Sequence, residues 1–473
     1  MGRRDRIILQ SISITGIAAE GKALAQVDGK VLFVPQAIPG DVVDVQVTHR
    51  KKAYMEGYIL RIISPSPQRI QPFCSHFGHC GGCKWQALPY ELQLNYKQQQ
   101  VFDQFTRIGK LEFPPIRPIV GSQMQQEYRN KLEFTFSNRA WLSYEELTQR
   151  RETYGEIIPD ENALGFHVSG LYDKVLDIKY CYLQREPSNA IRLEIMSFAQ
   201  AHGYSFFDLR AQTGFLRTLM IRTSSIGETM AVLAFAYEDV PKRTALLDHL
   251  LQRFPEITSL MYVINGKRND SFDWLEILPY FGPPYICERM EDLQFKIGPK
   301  SFYQTNSEQA LALYSVVREF AELSGKERVY DLYTGTGTIA LFLSRYAKEV
   351  IGIEYIEEAV ADARENARAN RVANCRFYAG DMKDVLTGDF VREHGAADVM
   401  VLDPPRSGIH PSVVHTILAA APEKIIYVSC NPATQARDLA AFAVDYDIKA
   451  VQAVDMFPHT HHIENVAALH RRR

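Results

Sequence analysis

Three hydrophobic rhythms divide the chain. From residue 1 to about 66, apolar and polar positions alternate in the runs IILQSISI, ALAQVDG, VLFVPQAI, DVVDVQVTHR and MEGYILRII, punctuated by Gly16, Gly21, Gly29 and Gly40. A period of two with glycine turns predicts five short strands, and so a small antiparallel barrel of the OB type. Ser64-Pro65-Ser66-Pro67 closes this module. From 67 to about 300, the alternating runs KLEFTFSN, FLRTLMIRTSS and MAVLAFAY predict strands of a mixed α+β domain, interrupted by a charged, loop-like insertion from Glu145 to Asn162 that has no assigned role. From 301 to 473 the rhythm changes again. Asn306 and Gln309 form a capping-box pattern, Leu313, Tyr314, Val317 and Phe320 follow on one helical face, and Gly325 ends it. Apolar runs then alternate with helical patterns: VYDL, VIGIEY, FYAGD, ADVMVLD and IIYVS, with a closing pair around IKAVQAVDMF and NVAALHRR. That order predicts a doubly wound α/β sheet whose last strand is reversed.

Composition excludes some classes. At 473 residues, 46% hydrophobic and 23% charged, the chain is long enough for two or three ordinary globular domains. No apolar run approaches the roughly 20 residues that span a bilayer. The basic start, MGRRDRIILQSISITG, is too polar for a secretory signal, so a cytoplasmic location is expected. Net charge is −3, yet residues 1–66 hold nine Lys or Arg against six Asp or Glu. Nucleic acid would therefore meet local patches, such as His49-Arg50-Lys51-Lys52 at a predicted hairpin tip. Arg129, Lys131, Arg217 and Arg222, with Phe134, Phe136 and Phe215 interleaved, offer a second such face, set against the plainer reading of a solvated sheet.

Seven cysteines, an odd number with three close together, point to metal or catalysis rather than disulfides. Cys74, Cys80 and Cys83 are spaced among Gly78, Gly81 and Gly82, which let the backbone turn tightly; Cys181 is the distant fourth candidate. Such ligands suit an iron–sulfur cluster or zinc, and His76 and His79 keep zinc open.

The C-terminal third carries the chemistry. DLYTGTG, Asp331 to Gly337, sits between a strand and a helix, and Glu354 closes the next strand about twenty residues on. A carboxylate there clamps ribose hydroxyls, for NAD or S-adenosylmethionine alike. Asp381 and Asp403 end the following strands. After Asp403, Pro404 and Pro405 form a rigid wall on which a base can lie, and Arg406 stands where a nucleophile or aromatic residue would otherwise come. Cys430, at the end of IIYVSCNP, is then the available nucleophile. A thiolate adding to C6 of uracil makes C5 nucleophilic; C5 takes a methyl group, and a base then removes the C5 proton. Cys430 and Glu464 fit these two roles, with Arg406 as the activating neighbour.

AIPGD at Ala37, SPSPQR at Ser64, the Cys74–Cys83 knot, YRNK at Tyr128, FYQTN at Phe302, DLYTGTG, DPPR, SCNP and FPHTHHIE together resemble the RNA uracil-5-methyltransferase family over nearly the whole chain. The resemblance is closest to the 23S ribosomal RNA branch that carries an N-terminal TRAM domain. It implies a class I S-adenosylmethionine-dependent methyltransferase domain, 301–473, with a seven-stranded sheet; a TRAM module, 1–66; and a central domain, 67–300, whose segment 86–119 packs on the catalytic domain. It implies S-adenosylmethionine contacts at Gln304, Tyr333, Thr338, Glu354, Asp381 and Asp403, with Thr338 standing where relatives often have Asn. It implies a [4Fe–4S] cluster on Cys74, Cys80, Cys83 and Cys181, Cys430 as nucleophile and Glu464 as base. The implied partner is 23S ribosomal RNA, with a monomeric enzyme needing no obligate protein partner. The transfer-RNA branch generally lacks both the cluster and the TRAM module. The same chemistry on transfer RNA, an NAD-dependent oxidoreductase and an idle RNA-binding protein are the rival readings.

Overall fold

The computed structural model describes residues 7–155 and 161–472. The first module is a six-stranded sheet made by Ile8–Ser13, Gly16–Ile17, Ala23–Val27, Lys30–Val34, Val42–Arg50 and Tyr54–Ser64. One strand more than expected appears because Gly16–Ile17 forms a two-residue pair with Ala23 and Leu24. Alternate residues Ala23, Ala25, Leu32, Val34, Val43 and Val45 fill its core, as a period of two requires. Residues 51–53 form the tip of the basic hairpin between the last two strands. Asp41 of AIPGD is buried and joins this barrel to the next segment. Its carboxylate accepts the amides of Ile38 and Ser66 and both nitrogens offered by Arg69, the last at 2.5 Å. Burial pushes this carboxyl up, but the Arg69 and amide hydrogen bonds outweigh it and hold it below the usual range. The AIPGD and SPSPQR motifs are thus two halves of one buried junction.

The middle of the chain is a seven-stranded mixed sheet centred on Lys131–Ser137, Leu216–Thr223, Thr229–Phe235 and Ile257–Ile264. Helices Ser188–Ala201 and Val240–Arg253 pack Ile191, Ile195, Leu246 and Leu250 against Phe134, Phe136 and Phe215 on one face. The other face, through Met220, Val232 and Met261, shares a core with Phe295 and Val317. Two expectations change as a result. The face read either as a solvated sheet or as a nucleic-acid platform is interior at Phe134, Phe136 and Phe215, which are fully buried. Arg217, 1% exposed, spends its guanidinium on the carbonyls of Asn265, Lys267 and Asn269 and on Asp270; Arg222 is bound to the Ser301 carbonyl. Period-two patterning cannot tell a solvated face from one covered by another domain. The expected loop at 145–162 contains a helix, Tyr144–Tyr154, opened by a reciprocal Ser143–Glu146 capping box; residues 156–160 of it lie outside the described residues.

The third layer is an eight-stranded sheet. In chain order its strands are β1 (Arg117–Val120), β2 (Arg328–Leu332), β3 (Glu349–Glu354), β4 (Cys375–Ala379), β5 (Val399–Leu402), β6 (Lys424–Ser429), β7 (Tyr446–Val454) and β8 (Glu464–Arg471), arranged β4-β3-β2-β5-β6-β8-β7-β1. The last strand, β8, is antiparallel to both neighbours. Residues 301–473 supply seven of these strands, as expected, and the eighth, β1, is added at the sheet edge from outside them. It belongs to segment 86–119, which contributes helix α1 (Tyr90–Gln104) and then β1, paired in parallel with β7 through Arg117–Gln452 and Val120–Val454. Val101 and Phe105 lie in one cluster with Tyr330, Met400 and Leu439. On the sheet lie helices α2 (Ser307–Ala321), α3 (Thr338–Ser344), α4 (Glu357–Ala369) and α5 (Pro432–Phe442). Strand order reverses between β2 and β5, so the ligand crevice of an open α/β sheet falls at their C-terminal ends. Among the described residues no helix is long and apolar enough to cross a membrane.

Candidate active site

The glycine loop of DLYTGTG follows β2. Tyr333, Gly335 and Gly337 all have left-handed backbones, with φ of 67°, 55° and 80°. A Cβ at Gly337 would sit 3.0 Å from Ala363 Cβ and 3.1 Å from the Phe377 ring, so only glycine lets the loop close on the sheet. A Cβ at Gly335 would meet nothing within 4 Å, leaving room above the loop. The Gly335 amide donates to Glu354 Oε2 at 3.1 Å, and the Ile356 amide to Oε1 at 3.0 Å, which fixes the Glu354 carboxylate at the end of β3. Tyr333, Glu354, Asp381 and Asp403 follow or end the adjacent strands β2, β3, β4 and β5. Asp381 caps a short helix through the Lys383 amide and pairs with the Lys383 ammonium at 3.1 Å; that bond holds its carboxyl low. Thr338 opens α3, its hydroxyl 3.3 Å from that of Thr336, which in turn donates to the Phe302 carbonyl at 3.4 Å. Gln304, two residues on, is buried, and its carbonyl accepts from Asn130.

Asp331 adds a group that the motif contained but its pattern did not single out. It is fully buried, with Oδ2 bound by the Thr334 hydroxyl at 2.5 Å and Oδ1 left without a partner. Burial pushes it up to about 7, helped by the neighbouring charge of Asp403. Asp403 is itself raised to about 7 by burial. An orphaned, buried carboxylate oxygen beside an open glycine loop suits a cationic ligand, as the sulfonium and ammonium of S-adenosylmethionine are.

Cys430 sits where β6 gives way to α5. Asn431 caps that helix by accepting the Ala433 amide, and Pro432 occupies its first position. Asn431 and Thr434 also donate to the Arg406 carbonyl at 3.1 and 3.2 Å, so SCNP and DPPR are tied together. Burial, with the charges of Glu464 and Asp403, pushes the half-buried Cys430 thiol up to about 11 against the pull of Arg406. Glu464, 5% exposed, is the first residue of β8. Burial drives its carboxyl well above the usual range, Asp403 adds to this and Arg406 opposes it. Gln435, which no pattern marked, locks the two motifs through Asn465: it donates to the Asn465 carbonyl at 3.1 Å and accepts from its amide nitrogen at 2.8 Å. A thiol, three buried carboxyls and a guanidinium thus share one crevice.

Cys74, Cys80 and Cys83 precede Lys84 and Trp85, whose amides donate to the His459 carbonyl, and Cys181 is the fourth candidate. The Cys181 amide donates to Asn189 Oδ1 at 2.8 Å, and Cys80 bridges to Val168 in the central sheet. Burial raises all four thiols, Cys80 to about 11 and Cys83 to about 12, and the charges of Cys80, Cys74 and Cys181 add to the shift of Cys83. His76 Nε2 accepts the Lys179 amide at 2.8 Å, and the His79 ring lies against Trp141. Among the described residues no three His, Cys, Asp or Glu side chains are gathered round a point as for a single metal ion.

Comparison with known proteins places this geometry. Residues 286–472 match the family described as tRNA (Uracil-5-)-methyltransferase, and residues 9–60 match the TRAM domain. A Porphyromonas gingivalis protein named as an RNA methyltransferase is 56% identical over 465 residues, 97% of this chain and 99% of its own. A Bacteroides thetaiotaomicron protein of the same description is 54% identical, covering 96% and 100%. The crystal structure of Pyrococcus abyssi tRNA (uracil-54, C5)-methyltransferase in complex with S-adenosyl-L-homocysteine superimposes with a TM-score of 0.74 at 27% identity, covering 98% of this chain and 100% of that one. With a catalytic crevice of this kind, a TRAM barrel and relatives that match from end to end, the chain belongs to the S-adenosylmethionine-dependent RNA uracil-5-methyltransferase family.

Proposed function

We propose that the protein methylates carbon 5 of a specific uridine in 23S ribosomal RNA. The convergence of Cys430, Glu464, Asp403 and Arg406 at the strand ends beside the cofactor loop carries this reading. Cys430 Sγ bonds to C6 of the uracil, and the C5–C6 double bond becomes an enolate, with negative charge at O4. Bound S-adenosylmethionine supplies the methyl group. Glu464 then takes the proton from C5, the double bond re-forms and Cys430 leaves as thiolate. Arg406 stabilises that thiolate at both ends of the cycle. Gln304, Tyr333, Thr338, Glu354, Asp381 and Asp403 line the cofactor's place. The target base leaves its stack to reach a thiol that lies half-buried. RNA is the partner, and a monomer suffices.

Cys74, Cys80, Cys83 and Cys181 would hold a [4Fe–4S] cluster in a structural, RNA-facing role. The donor chemistry supports this reading: four thiols whose charges reach one another are the soft ligand set that such a cluster takes. Thiols raised by burial ionise on binding metal, so affinity should rise with pH. Protein purified without oxygen should be brown, with broad charge-transfer absorption that is lost in a Cys83→Ser variant. A colourless, zinc-containing protein would remove the cluster.

The TRAM barrel and the cysteine loop are the features by which the family resemblance supports ribosomal RNA. Likeness to the Pyrococcus abyssi transfer-RNA enzyme along the whole chain favours a second reading, a transfer-RNA uridine. Mass-spectrometric mapping of 5-methyluridine in cells with and without this protein separates them. The expected result is loss of the modification from 23S ribosomal RNA alone; loss from transfer RNA alone would overturn the ribosomal assignment.

A further inference from the structure

The buried stripe of α1 is Gln93, Lys97 and Val101, one residue per turn, continued by Phe105 just past its end. A helix face that packs on a core is expected to be apolar throughout. Here its first two positions are polar and long. Lys97 donates to Asp455 Oδ1 at 2.5 Å, and both side chains are 0% exposed. The Lys97 ammonium also donates to the Phe457 carbonyl at 3.1 Å, and the Tyr90 hydroxyl donates to the second Asp455 oxygen at 2.8 Å. Gln93 accepts the His459 amide at 2.8 Å and places its own nitrogen 3.2 Å from His459 Nδ1. The His459 carbonyl is held by the amides of Lys84 and Trp85, just beyond Cys83. Every one of these contacts ends on the loop 455–463, which joins β7 to β8.

That loop delivers Glu464. Val454 and Glu464 are a cross-strand pair, so Asp455 and Glu464 flank the mouth of the same turn. Inside it His459 has a left-handed backbone (φ 64°), and His459, Thr460 and Ile463 are buried around it. Two fully buried opposite charges are a poor way to gain stability, because desolvation offsets their attraction, but they select one arrangement over others. A loop that could relax by an ångström would carry the carboxyl away from the carbon it must deprotonate.

We propose that Lys97 and Gln93 of α1 are positioning residues for the base, holding the 455–463 loop so that Glu464 stands over the adduct formed by Cys430. This rests on the proposed roles of Cys430 and Glu464. It concerns the second half of the cycle: release of the methylated product depends on the clamp, while formation of the Cys430 bond, on the β6–α5 junction, does not.

The test uses the full chain, labelled S-adenosylmethionine and a 23S transcript. Lys97→Met alone would strand a buried aspartate, so the variant is Lys97→Met with Asp455→Asn. Covalent adduct should form within about threefold of the wild-type rate, while turnover falls about a hundredfold and methyl-labelled adduct accumulates on denaturing gels. Gln93→Met, which keeps the ion pair, should show the same accumulation with turnover about tenfold lower. Turnover within about threefold of wild type in both variants would overturn the proposal. So would a matched loss of adduct formation and turnover in Gln93→Met, since that is general damage rather than a misplaced base. Wild-type enzyme that turns over without any adduct removes the nucleophile–base reading itself, and this proposal with it.

Discussion

Replacing Cys430 with alanine should abolish methyl transfer, by about 10⁴-fold or more, while S-adenosylmethionine binds with unchanged affinity. The sulfur is removed from a junction whose fold it does not hold. The helix cap belongs to Asn431, the strand ladder to Ser429 and Asn465, and the tie to DPPR to Asn431 and Thr434. Loss of activity with unchanged melting and unchanged cofactor calorimetry would therefore report chemistry. The pH response has a definite sign. Burial raises the thiol to about 11 in the free protein, so the thiolate is scarce at neutral pH and gains steadily as pH rises. Alkylation of Cys430 by iodoacetamide should quicken across that range, and Arg406→Ala should move the curve further to the alkaline side. A Cys430→Ala enzyme that still methylates RNA at the wild-type rate would refute the covalent route outright.

Glu464→Gln should behave in the opposite way at the level of the complex. Glutamine keeps the shape of the side chain but cannot accept the C5 proton, so the bond to Cys430 forms and is not broken. Turnover should drop about 10²- to 10⁴-fold, with a methylated protein–RNA adduct surviving denaturing electrophoresis. Because burial raises the Glu464 carboxyl, its base form also gains with rising pH. Breakdown of the wild-type adduct should quicken with pH, and that dependence should vanish in the variant. An adduct that breaks down at the wild-type rate in Glu464→Gln would move the base to another residue, and Asp403, the next buried carboxyl in the crevice, would be the first to examine.

Both variants probe groups that sequence marked by local patterns. Cys430 ends an apolar run of strand length. Glu354, Asp381 and Asp403 stand at or just past the ends of successive strands, and the glycine pair of DLYTGTG lies between a strand and a helix. These signals are legible because the fold places strand ends and ligand in one crevice. The barrel was legible for the same kind of reason, since a half-buried strand writes its inner face into every second residue.

What pattern could not supply is what covers a face from far along the chain. Phe134, Phe136 and Phe215 read as a stacking platform until the helices Ser188–Ala201 and Val240–Arg253 are laid over them. Arg217 and Arg222 read as phosphate ligands until their carbonyl partners, up to 79 residues away, are seen. The eighth strand is four residues long and comes from a segment more than 300 residues before its partner in the sheet. Lys97 and Asp455 are separated by 358 residues and each alone looks like solvated surface.

Residue order alone determined the barrel, the doubly wound sheet with its reversed strand, and which side chains reach the strand ends. Each of those follows from neighbours in the chain: alternation, turn residues, caps. Tertiary structure alone decided that a helix near residue 97 grips the loop before residue 464, and that two motifs, AIPGD and SPSPQR, meet over one buried aspartate. A charged side chain inside a protein is tolerable only opposite its partner, and distance along the chain carries no information about who that partner is.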